Sequence, residues 1–209
     1  FSHEISKSIS RNKLKNQILI HLSSSIESLI SMLSSAYLGI PFAVIFEELP
    51  IEAIKIRINI IQPKIFISKC NIPDFSSIKK FINKQFPSCK IICLSNKKNE
   101  NKNIYNIYTN NLFIDNKIQI KMKSFISNRK LFTLFTSGST GEPKGIVHSS
   151  GGYLLYAKYT CIEKFGMKHN SIMMCASDAG WINGHTYALF GPLSLGATTI
   201  LLNKPIFFF

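Results

Sequence analysis

The strongest constraint on the fold is an alternation in the first half of the chain. Short continuous apolar runs trade places with longer segments whose apolar residues recur every three or four positions. Residues 17–20 read as a strand. Ser23, Ser24 and Ser25 follow, then Ile26, Leu29, Ile30, Leu33 and Tyr37 at helical spacing. A serine N-cap and Glu27 open that helix, and Gly39 closes it. Residues 42–46 are a strand behind Pro41. Residues 50–61 are a helix with Ile51, Ile54, Ile58 and Ile61 on one face, and 65–67, 75–86 and 90–94 continue as strand, helix, strand. Strands that are apolar throughout, joined by helices, predict an α/β fold with mostly parallel sheets flanked by helices.

Residues 95–129 break this rhythm. They are rich in Asn and Lys and read as an exposed connector with one or two short edge strands. The pattern resumes with a strand over 131–135, a short strand over 146–148, a helix over 152–165 and a strand over 172–175. A loop over 178–184, a helix over 186–195 and a strand over 198–202 complete it.

Composition narrows the function classes. Apolar residues make up 45% and charged residues 17%, which excludes global disorder. The net charge is +14, from 25 basic and 11 acidic residues. The lysines are scattered among Asn and Ile, with no run of like charge and no interleaved aromatics, so a basic nucleic-acid-binding module is kept only as an alternative of another class, with no nucleic-acid partner expected. The longest apolar stretch is about half of the ~20 residues a spanning helix needs. No signal-peptide pattern opens the chain, so a cytoplasmic protein without a membrane partner is expected. The abrupt ends read as those of a piece of a longer frame. Cys70, Cys89, Cys93, Cys161 and Cys175 have irregular spacings that suggest neither a disulfide framework nor a zinc site, and Cys89 and Cys93 read as small buried residues.

The chemistry concentrates in Thr136-Ser137-Gly138-Ser139-Thr140-Gly141-Glu142-Pro143-Lys144-Gly145. Four hydroxyls and a lysine offer donors and charge to an anion, and the glycines allow close backbone approach. The segment follows a strand, where α/β sheets bind ligands. It reads as a polyphosphate cradle. It is not a Walker A loop, because Lys144 is followed by Gly145 and not by Ser or Thr.

This ten-residue segment resembles the phosphate-binding signature of the acyl-adenylate-forming enzymes, which include acyl-CoA synthetases, peptide-synthetase adenylation domains and luciferases. His148-Ser149-Ser150-Gly151-Gly152-Tyr153-Leu154 and Asp178-Ala179-Gly180-Trp181-Ile182-Asn183-Gly184-His185 narrow the resemblance to short-chain acyl-CoA synthetases, close to the acetyl-CoA synthetases. The match is close from 131 to 202, loose over 17–68 and poor over 70–129, where such enzymes carry basic residues that contact CoA.

The resemblance implies a partial N-terminal adenylation domain over 1–209, with 95–129 as a variable connector and the C-terminal lid domain absent. It implies activation of acetate or another short-chain acid by MgATP to acyl-AMP and pyrophosphate, then transfer to CoA. Propionyl-, other short-chain or acetoacetyl-CoA synthetases are alternatives, as is an inactive enzyme remnant. Thr136, Ser137, Gly138, Ser139, Thr140, Gly141 and Lys144 would hold the ATP phosphates, with Lys144 as the catalytic charge. Trp181, Ile182 and Asn183 would line the acyl pocket and CoA tunnel, although a lone Trp is more often a core aromatic. Asn183 stands where Thr is usual. His185 would orient the loop by hydrogen bonding. Asp178 would either cap a turn or order that loop. His148, Tyr153 and Tyr156 read as structural. The Mg²⁺ ligands would lie beyond residue 209, and the chain alone is expected to be inactive.

Overall fold

The computed structural model describes residues 17–95, 105–108, 124–136 and 142–202. Among them, β1 (Ile18–His21), β2 (Phe42–Ile45), β3 (Ile65–Lys69), β4 (Lys90–Ser95), β5 (Tyr105–Tyr108), β6 (Lys130–Thr136) and β7 (Lys144–Ser149) form one sheet in the order β5-β4-β3-β1-β2-β6-β7. Every neighbouring pair is parallel except β6 and β7. The expected connector thus supplies one edge strand, β5. A second, two-stranded parallel sheet joins β8 (Ile172–Met174) to β9 (Thr198–Ile200).

The central strands are buried on both faces because helices cover both. Ile18, Ile20, Phe42 and Val44 pack with α1 (Ile26–Leu38) on one side. Leu19, Ala43, Ile45 and Phe66 pack with α2 (Ile51–Ile61) and α3 (Phe75–Gln85) on the other. The α4 helix (Ser150–Phe165) joins the first side through Tyr153 and Ala157. By contrast, Ile172, Met174 and Ile200 of the small sheet are more than 40% exposed. Among the described residues no helix is long and apolar enough to cross a membrane.

Three expectations need correction. The apolar stripe anticipated on α1 is buried only in part. Ile26 and Leu33 are exposed, while Ser28, Leu29, Ser31, Met32 and Ser35 face inward. Serines let the helix approach the sheet closely, and Ser31 and Ser35 return their hydroxyls to the carbonyls of Glu27 and Ser31, both at 2.6 Å. The ends of α1 are as anticipated: Ser25 and Ser28 form a reciprocal capping box, and Gly39 takes φ 78.

Second, helix begins inside the anticipated 178–184 loop. A helical course runs from α5 (Ile182–His185) through a π turn (Thr186–Phe190) into α6 (Gly191–Ser194). The buried side chains of His185, Ala188, Leu189 and Phe190 pull this segment onto the sheet. Third, Cys70 and Cys93 are brought together, with Cα atoms 5.5 Å apart. Parallel pairing of β3 with β4 brings together positions 23 residues apart, which spacing alone could not reveal. Cys89 and Cys93 are both buried.

Candidate active site at the carboxyl edge of the sheet

Because β1, β2, β3 and β6 are parallel, their carboxyl ends share one edge, where open α/β sheets bind ligands. Thr136 ends β6 at this edge. Lys144 begins the antiparallel β7 directly opposite Thr136. The hydroxyl- and glycine-rich segment therefore connects two strands that pair at the carboxyl edge of the sheet. Ser137, Gly138, Ser139, Thr140 and Gly141 lie outside the described residues. Thr136 and Lys144 are both exposed. The Arg57 guanidinium lies 5.3 Å from the ring centre of Phe135, the residue before Thr136.

The segment 178–190 starts at the same edge and crosses the sheet face. Trp181 is 60% exposed and meets Phe46, just past β2, edge-on at 5.3 Å, so it is not a core aromatic. Gly180 packs closely on the same ring: a Cβ there would come within 2.7 Å of Phe46, whose ring would have to move. The Asp178 carboxylate accepts from the amides of Ser24 at 3.0 Å and Gly180 at 2.8 Å. In return, the Ala179 amide donates to the Ser24 hydroxyl at 2.8 Å. Asp178 therefore shapes its own turn and ties it to the start of α1.

His185 is fully buried. Its ring lies flat over Phe42 at 6.0 Å and tilts against Phe132 at 4.6 Å, and its Nδ1 is 3.2 Å from the Trp181 carbonyl. Burial pushes its pKa down to about 4, leaving a neutral imidazole at pH 7. His148 stacks on the other flank of Phe132 at 4.7 Å, and partial burial lowers its pKa as well. Tyr153 is buried and shares a 2.9 Å hydrogen bond with Thr186.

Ile182 and His148 open onto a cleft of about 340 Å³, also lined by Val147, Tyr156 and Thr186. Its size fits a small ligand, and its walls are largely apolar. Trp181 and Lys144 are not among its lining residues. Asn183 is exposed, and its backbone carbonyl accepts from the Cys175 thiol at 3.6 Å. Among the described residues no group of three or more His, Cys, Asp or Glu side chains converges as metal ligands would.

Sequence reading did not single out Ser24 or Phe46. Each lies well over a hundred residues from the turn it holds, so no local pattern marks it. A signal existed for Asp178, whose spacing to Gly180 is that of a side chain folding back on its own turn.

The family model described as AMP-binding enzyme matches residues 9–209. An acetyl-coenzyme A synthetase of Helicobacter pylori (strain P12) is 34% identical over 205 residues, covering 91% of this chain and 30% of that protein. Acetyl-coenzyme A synthetase 2 of Candida albicans is also 34% identical, over 200 residues, covering 90% of this chain and 30% of its own length. The chain thus spans just under a third of these relatives. Among solved structures, the acetoacetyl-CoA synthetase of Streptomyces lividans has the same fold, with a TM-score of 0.80 at 16% identity over 96% of this chain and 31% of its own.

Proposed function

The chain belongs to the AMP-binding enzyme family, and on that premise we propose that it is part of the adenylation domain of an acetate or other short-chain acyl-CoA ligase. In this reading a carboxylate oxygen attacks the α-phosphorus of ATP and pyrophosphate leaves. The CoA thiol then takes the acyl group and AMP departs. Lys144 and the donors between Thr136 and Gly141 hold the phosphates and receive the charge that builds on pyrophosphate. Trp181, Ile182 and Asn183 border the acid and the path of the thiol. Magnesium would accompany ATP, and none of the described residues is assigned to it. The chain alone is proposed not to complete the reaction, since it spans 30% of its relatives' length.

One observation carries this reading. Thr136 and Lys144 face each other where β6 pairs with β7, on the sheet edge to which Trp181 is also held. Donors at the carboxyl edge of a parallel sheet suit the phosphates of a nucleotide. The test is ATP–pyrophosphate exchange by the full-length protein with formate, acetate, propionate, butyrate and acetoacetate. Exchange dependent on one of the short acids is expected. No exchange with any of them would remove the proposal.

A further inference from the structure

We propose that Ser24 is a positioning residue for Trp181, acting through Asp178, so that the first strand–helix unit sets one wall of the acid site; the link to the acid rests on the function proposed above. Ser24 precedes the N-cap Ser25 of the thirteen-residue α1. Its amide donates to Asp178 Oδ2 at 3.0 Å, which places a carboxylate at the positive end of that helix. Its hydroxyl accepts from the Ala179 amide at 2.8 Å. Ala179 is 2% exposed, so without that hydroxyl a buried N–H would lack an acceptor and the turn would have to shift. The turn cannot shift without moving the ring beyond it. Trp181 N donates to the Asp178 carbonyl at 3.0 Å, and Gly180 lies against Phe46. A turn held by packing alone would need Phe46 but not Ser24, and this distinction can be measured.

Trp181 is the only tryptophan in the chain, so its emission reports this ring alone. Emission spectra and acrylamide quenching of the 209-residue chain require no substrate. Ser24→Ala is expected to shift the emission to the red and increase quenching with an unchanged far-UV circular dichroism spectrum, and Ser24→Thr, which keeps the hydroxyl, to restore both. An S24A spectrum superimposable on that of the unmodified chain, or an S24T protein behaving like S24A, overturns the proposal. If S24A does not fold, Asp178→Asn replaces it: a red shift supports the clasp, and no shift overturns it. In the full-length protein, S24A is expected to raise KM for the acid more than it lowers kcat. Emission that shifts while no acid supports exchange would defeat the functional reading and leave the clasp standing.

Discussion

Lys144 faces Thr136 across the ladder between β6 and β7. It begins β7, whose partner strand β6 ends at the carboxyl edge of the sheet. A compact charge held on regular structure can stabilise a developing anion without first having to be organised.

Lys144→Ala in the full-length protein is expected to slow pyrophosphate release by more than roughly tenfold, the scale of removing one charge-stabilising donor. Stability should hardly change, because Lys144 is exposed. Stopped-flow measurement of pyrophosphate release checks it, and an unaltered rate would assign the lysine to the surface.

Ile182 borders the apolar cleft with Val147 and His148. Ile182→Ala should enlarge the acid site and raise the ratio of kcat/KM for butyrate over acetate by about tenfold or more, since each methylene accommodated is worth about 1–3 kcal/mol. An unmoved ratio would show that the acid binds elsewhere.

Two histidines make the fold sensitive to acid. Burial lowers the pKa of both His21 and His185 from 6.5 to about 4, against the opposing pull of Glu47 on His21. At neutral pH both are neutral in the folded chain and mostly neutral in the unfolded one, so neither costs much stability. As pH falls through 6.5 the unfolded chain takes up protons that the folded chain refuses, and stability declines until about pH 4, where the folded state protonates too. Urea unfolding midpoints between neutral pH and about 4.5 should fall accordingly, and His185→Gln should flatten part of that slope. An equal slope in the variant would remove His185 as a contributor.

Glycine positions separate clash from backbone strain. A Cβ on Gly184 would drive into the backbone of Asp178, whereas one on Gly166, at φ 61, would meet nothing within 4 Å. Gly184→Ala is expected to cost ~3 kcal/mol or more, as overpacking against backbone does. Gly166→Ala should cost about 1 kcal/mol, the strain of a left-handed residue. Thermal unfolding of the two variants checks the order, and equal losses would refute it.

Not every face was legible in the residue pattern. In α2, the apolar spacing of Ile54, Ile58 and Ile61 marks the buried face, because these side chains are large and nothing competes for the sheet. In α1 it misleads, because close approach selects Ser28, Ser31 and Ser35 and leaves Ile26 outside. The helical start at Ile182 was hidden for a related reason. Its stability comes from His185, Leu189 and Phe190 packing against distant strands, not from local propensity.

The sequence by itself determined the α/β alternation and the caps of α1, because each depends on neighbours within a few positions. Only the tertiary structure decided that β7 turns antiparallel to set Lys144 against Thr136, that Trp181 stands exposed over Phe46, and that Ser24 grips the turn bearing Asp178. Those relations join residues far apart in the chain. They arise when strands pair and amides find acceptors in three dimensions, which no local run of side chains encodes.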